Sequence, residues 1–192
     1  MNTKSAKQKI LDAAATLFYN DGIANTGINS ITDKAQVAKM SLYNNFPTKA
    51  DLISCYIEAR HQEWLDLYEQ RKHQIKTPID GVLAIFDAYQ DHAEFAYEKG
   101  FRGCGLLNAA AEFAAHSAER LAVKNHKDEI ESIVANHLNQ MITDPQRVQE
   151  LALLISFILE GSIARAGLES TSTKVFAAKK MVQTMLEQEI SN

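Results

Sequence analysis

The sequence predicts an all-α protein, and three observations carry that prediction. Apolar residues make up 46% of its 192 residues, enough to build a substantial core. Glycine (8) and proline (3) are few, and no run alternates Val, Ile or Thr with polar residues as half-buried strands do. Apolar side chains recur instead at i, i+3, i+4 and i+7 in one segment after another, which gives about nine helices. They divide into a small N-terminal domain, residues 4–64, and a larger helical domain, residues 65–192.

The first helix spans Lys4 to Asn20, with Ile10, Leu11, Ala14, Leu17 and Phe18 on one stripe. Asp21-Gly22 ends it, glycine being expected to take the left-handed backbone there. Thr26 is expected to cap a helix beginning at Gly27, on which Ile28, Ile31 and Ala35 share a face. Gln36-Val37 breaks that rhythm. A second short helix, from Ala38 to Phe46, resumes it, with Val37, Leu42 and Phe46 inward. Its outward face carries Lys39, Met40, Ser41, Tyr43 and Asn44. A cation, three hydrogen-bonding groups and an apolar tip can meet phosphates, base edges and a thymine methyl. Two short helices joined by a tight turn place such a face in the DNA major groove. Thr48 caps the next helix after Pro47, and Lys49 lies in its first turn. With Thr26, these residues stand where free helix-start N–H groups can clamp phosphates.

A long helix follows, from Thr48 to about His73, holding Leu52, Tyr56, Ala59, Trp64, Leu67 and Tyr68 inward. Thr77-Pro78 opens a helix from Ile79 to about Tyr97, with Val82, Phe86, Tyr89 and Phe95 as interior candidates. Lys99 to Gly105 is the glycine-rich break, followed by a helix to about Ala115 that packs Leu106, Leu107, Ala110 and Phe113. Cys104, near that helix start and beside Arg102, has two readings: a thiol that ionises more readily than a free one and so reacts with oxidants or electrophiles, or a small residue where the glycines force close packing. Ala118 to Ile142 is amphipathic, and its run from Lys124 to Glu129 reads as a solvated face.

Asp144-Pro145 starts a helix that is apolar nearly all round from Val148 to Ala166. A helix buried on every side needs partners on every side, and a second copy of the chain is expected to supply one of them; an intramolecular core in a monomer is the alternative. With a last helix from Lys174 to Glu189, Leu151, Leu154, Ile155, Ile158, Ser162, Val175, Val182 and Met185 are the candidates for a homodimer contact. Trp64, Phe86, Tyr89, Cys104, Asn108, Phe113 and Phe157 are candidates for a mostly apolar ligand pocket; plain core packing is the alternative for each.

The net charge of −4 hides an asymmetry. Residues 1–50 carry six Lys against Asp12, Asp21 and Asp33, a local +3, so the remainder carries −7. A basic head on an acidic body suits contact with nucleic acid through the N-terminus alone. Catalysis is not expected. His61, His73, His92, His116, His126 and His137 are scattered, and there is no His-Glu-x-x-His, no phosphate-binding glycine loop and no Gly-x-Ser-x-Gly. No cofactor or metal is implied. Leu151 to Leu159 is too short an apolar run to span a bilayer, so no membrane partner is expected, and a cytoplasmic location is. The competing non-enzyme reading is a helical interaction module that never touches DNA.

Residues 7–60 resemble the N-terminal domain of the tetracycline-repressor (TetR) family of transcription regulators. The resemblance rests on Ile10-Leu11-Asp12-Ala13-Ala14, Leu17-Phe18, Gly22 with Thr26, Ile31-Thr32-Asp33-Lys34-Ala35, and above all Val37 to Leu52 with its Leu-Tyr-x-x-Phe-x-x-Lys core. It implies a three-helix DNA-binding head, a divergent helical ligand-binding body and a homodimer. The mechanism expected from head, body and Cys104 together is a homodimer on a palindromic duplex operator, released by a small-molecule effector or by a thiol-reactive inducer acting at Cys104. Matched by position, Thr26, Lys39, Ser41, Tyr43, Asn44, Thr48 and Lys49 are the implied DNA contacts. Arg102-Gly103-Cys104 followed by Leu106-Leu107-Asn108 and a later Glu resembles a feature of one branch of that family, where it begins the helix beside the ligand cavity. Two departures stand out. Gln36 replaces the turn glycine, at about 1–2 kcal/mol for a left-handed non-glycine residue. Ala38 replaces a capping Ser, at roughly 1 kcal/mol.

Overall fold

The computed structural model describes residues 4–95 and 97–191. Among them there are nine helices and no strand: α1 (Ala6–Asp21), α2 (Ile28–Ala35), α3 (Lys39–Asn45), α4 (Lys49–Lys72), α5 (Pro78–Ala93), α6 (Gly105–Ala110), α7 (Ala118–Leu138), α8 (Pro145–Glu169) and α9 (Thr173–Ser191). Several starts are written in the sequence. Ser5 accepts the Gln8 N–H, Thr77 and Asp80 form a reciprocal capping box before Pro78, and Asp144 accepts the Gln146 N–H before Pro145.

The helices form two compact units: Met1–His61 with Gly105–Val123, and Gln62–Cys104 with Lys124–Asn192. The expected division at residue 64 is therefore only part of the picture, because 105–123 cluster with the N-terminal helices. In the first unit Ile10, Ala14, Phe18, Ile31, Leu42, Phe46, Leu52 and Tyr56 are buried, and Phe18 meets Tyr56 edge to face at 5.4 Å. In the second, α5, α8 and α9 pack together over Val82, Ile85, Phe86, Leu151, Ile155, Val182 and Leu186. Arg147 near the start of α8 holds Glu189 near the end of α9 at 2.7 and 2.5 Å, so these two helices run antiparallel.

Three helix ends fall short of expectation. α5 stops at Ala93, where the Tyr97 hydroxyl folds back to donate to the His92 carbonyl, and Phe95 is exposed rather than interior. α6 stops at Ala110, whose carbonyl accepts the Arg120 guanidinium and, in a tighter turn, the Phe113 backbone N–H three residues on. Leu107 is exposed and Phe113 only half-buried as a result. α7 stops at Leu138, four residues before Ile142.

α8 is long and apolar enough to cross a bilayer by length and composition. It nevertheless buries Val148, Leu151, Ile155, Leu159 and Ile163 inside the second unit, as a core helix does. This burial corrects the expected contact between copies. Leu151, Ile155, Ser162, Val175 and Val182 are spent on the chain's own core, the Ser162 hydroxyl donating to the Leu159 carbonyl. Ile158 and Met185 are half-buried. The large outward apolar residues are Leu153, Leu154, Phe157 and Leu168 on α8 with Phe176, Met181 and Ile190 on α9. On a helix apolar all round, periodicity marks both faces alike and cannot assign either.

Candidate nucleic-acid interface

The turn between α2 and α3 is made by Gln36, at φ 54° and ψ 49°. Its N–H donates to the Thr32 and Asp33 carbonyls, and the Val37 N–H follows to Thr32. A glutamine therefore holds the left-handed position that glycine fills at least cost. Ala38 begins α3 without a side-chain cap. The helix is held from beneath by Leu42 and Phe46, both essentially inaccessible, and Lys7 of α1 lies 5.9 Å from the Phe46 ring.

With those two residues inward, the opposite face of α3 is open. Lys39 and Asn44 are exposed, Met40 is 70% and Tyr43 40% accessible, and Ser41 is half-buried. Thr48 is exposed at the start of α4, in a capping box with Asp51 at 2.9 and 3.1 Å. Two further expected contact residues also spend their polar groups within the protein. Thr26 is buried and does not cap α2; Gly27 stands at that position, and the Thr26 hydroxyl donates to the Gly22 carbonyl at 2.6 Å. Lys49 donates to the Ile23 carbonyl at 2.6 Å, bracing the α1–α2 turn. Gly22 has φ 88° and ψ 158°, a positive-φ conformation but not the left-handed helical one expected.

The candidate pocket residues separate. Asn108 and Phe113 belong to the first unit, whereas Trp64, Phe86, Tyr89, Cys104 and Phe157 belong to the second. Phe157 is 64% exposed on the outer face of α8 and lines no interior space. The rest of the second-unit group is buried. Trp64 stacks on Tyr68 at 5.6 Å and meets Tyr89 at 5.5 Å, and its indole N–H has no hydrogen-bond partner.

Beside this aromatic group lies a polar cluster that sequence reasoning missed. The Lys127 ammonium, expected in a solvated charge run, is turned inward. It lies 2.7 Å from Glu160, 3.0 Å from the Tyr89 hydroxyl and 3.6 Å from the Cys104 sulfur. Burial opposes its charge, but Cys104, Tyr89 and Glu160 outweigh burial and hold the ammonium well above the ordinary lysine range. Burial likewise pushes the Tyr89 hydroxyl up. The cation at Cys104 is thus Lys127, while Arg102 is exposed. His126 is buried against Trp64 at 5.9 Å. A signal for Lys127 was present: it lies four residues after Val123 and three before Ile130, on the buried stripe of α7.

A small unit with an open recognition helix, joined in one chain to an all-helical body, defines a helix-turn-helix DNA-binding regulator. Comparison with known proteins gives the family. A model of the bacterial regulatory proteins of the tetR family matches residues 10–54. A model of the C-terminal domain of LmrA/YxaF-like transcriptional regulators matches residues 78–181. The chain belongs to the tetR family, whose members regulate transcription and are not enzymes. It is 24% identical to the HTH-type transcriptional regulator LmrA of Bacillus subtilis, covering 97% of this chain and 100% of that one. It is 27% identical to IcaR of Staphylococcus epidermidis, a negative transcriptional regulator of the biofilm operon icaADBC, over 69% of this chain and 66% of that one. Among solved structures, SCO4454, a TetR-family transcriptional regulator from Streptomyces coelicolor, superposes with a TM-score of 0.84 at 25% identity, covering 97% and 96% of the two chains.

Proposed function

We propose that this regulator is a ligand-responsive repressor that binds a palindromic operator as a homodimer, one α3 per half-site. The observation that carries the reading is the open α3 face, Lys39, Met40, Ser41, Tyr43 and Asn44, with Thr48 beside it. Lys39 meets phosphate or guanine, Asn44 and Ser41 read base edges, Tyr43 donates to the backbone, and Met40 packs on thymine methyls. Two copies join through the outward apolar residues of α8 and α9, where Gly161 leaves open space for a close helix approach. The body takes a small effector, and the Cys104–Lys127 pair is the place where a thiol-reactive inducer acts. Either event favours a body state whose two heads no longer fit the groove spacing, so release follows from the difference in DNA affinity between states.

The test is fluorescence anisotropy with the best duplex that the protein selects from a randomised pool. Tyr43→Ala is expected to lose binding to that duplex while light scattering still reports a dimer. A Tyr43→Ala variant that binds as tightly as the parent would refute the contact assignment. Binding of the parent should weaken steeply with salt, since phosphate contacts dominate affinity.

A further inference from the structure

The turn between α1 and α2 is held by a residue from far outside the helix-turn-helix sequence. Glu112, just past α6, accepts the backbone N–H of Ile23 at 2.8 Å and that of Ala24 at 2.7 Å through its two carboxylate oxygens. The partners are 89 and 88 residues apart in sequence and lie in the same compact unit. Gly22 makes room for this grip, since a Cβ there would approach a Glu112 oxygen to 3.1 Å. On the other side of the same residue the Ile23 carbonyl accepts the Lys49 ammonium. Thr26 closes the turn onto Gly22. Every polar backbone group named here is thus fixed by a side chain, and Glu112 supplies two of the bonds, both charge-assisted.

We propose that Glu112 is a positioning residue for DNA recognition, although it touches no DNA. The turn it holds leads through Gly27 directly into α2, and α2 packs on both α1 and α3. Loss of the carboxylate frees two N–H groups and lets the start of α2 shift against α1, which moves the α3 face relative to the duplex. A misplaced recognition helix loses base-edge contacts, which demand tight geometry, before it loses phosphate contacts, which tolerate displacement. The proposal rests on the DNA-binding reading above.

The experiment compares Glu112→Gln with the parent on the selected duplex and on a random-sequence duplex of equal length. The amide offers one acceptor and turns a competing NH₂ toward the second N–H. Affinity for the selected duplex is expected to fall about tenfold, the effect of losing one charge-assisted hydrogen bond, while random-duplex affinity changes less than about twofold. Hydrogen exchange of the Ile23 and Ala24 amides should accelerate. Equal losses on both duplexes would make Glu112 a stabilising residue only, and an unchanged affinity for the selected duplex would also overturn the proposal. Should Glu112→Gln not fold, Glu112→Asp, which keeps the charge but shortens its reach to the two N–H groups, takes its place: a loss confined to the selected duplex supports the proposal, and an equal or absent loss overturns it. If the parent selects no duplex, the DNA-contact reading fails separately; amide exchange equal in parent and variant would then still refute the hold on the turn.

Discussion

Replacing Lys127 by Met is the sharpest probe of the body. Lys127 and Glu160 pair at 2.7 Å with only 17% and 28% of their side chains exposed. The second Glu160 oxygen already has no hydrogen-bond partner, so the pair depends on one contact. Removing one member of a buried pair costs about 3–5 kcal/mol because the other charge stays buried. Partial exposure of Glu160 reduces that to about 2–3 kcal/mol. At about 2–4 °C per kcal/mol for a chain of this size, the melting temperature falls by about 4–12 °C. Trp64 is the chain's single tryptophan and stacks within the same unit, so its fluorescence reports the transition locally. Lys127→Met with Glu160→Met removes both charges and should recover most of the loss. The stabilisation also depends on pH. The folded-state pKa of Lys127 is raised above the ordinary 10.5, so the contribution is complete at neutral pH and disappears as pH climbs from about 10.5 toward the folded value. A Lys127→Met variant within about 0.5 kcal/mol of the parent, the range of ordinary surface changes, would refute this account.

Three further expectations can be checked by standard measurements. Gln36→Gly removes the left-handed penalty of about 1–2 kcal/mol but adds about 0.5–1 kcal/mol of unfolded-state freedom, so thermal melting should show a small net gain. Phe157→Glu places a charge at a 64% exposed apolar position and should shift sedimentation from dimer to monomer without unfolding the chain. His137, 2.7 Å from the Tyr68 hydroxyl, has its pKa lowered first by burial and then by Lys72. The neutral ring therefore stabilises the fold above the ordinary value of 6.5, and denaturation midpoints should fall as pH drops below it, less so in His137→Gln.

Legibility in the sequence followed the range of the interactions. Helix starts at Lys49, Pro78 and Pro145 could be read because caps, Pro and the first turn lie within a few residues of each other, whereas α1 begins at Ala6 behind a Ser5 cap and not at Lys4 as expected. The open α3 face was legible for the same reason, while the left-handed backbone at Gln36 was expected only through the family resemblance. The ends of α5 and α6 were not, since donors to their last carbonyls, the Tyr97 hydroxyl and the Arg120 guanidinium, come from beyond the helix. Thr26 had the right type and place for a cap, but a backbone carbonyl four residues earlier claimed its hydroxyl. Lys127 was misassigned because charge was weighed above its place on the buried stripe of α7.

The same reasoning explains why the candidate DNA-contact set and the set that shapes it differ. A contact residue must keep its polar groups free for the duplex, so exposure selects Lys39, Tyr43 and Asn44. A shaping residue must spend its groups on the protein, so occupancy selects Thr26, Lys49 and Glu112. Residue type cannot separate the two roles, because both use short polar or charged side chains near helix starts. Sequence distance cannot either, since Glu112 lies beyond the residues matched by the head model and within those matched by the body model. Only the hydrogen-bond partners separate the roles, and they predict different responses to salt. Loss of Lys39 should reduce the salt dependence of DNA binding by about one phosphate contact, whereas loss of Glu112 should leave that slope unchanged while lowering affinity for the selected duplex.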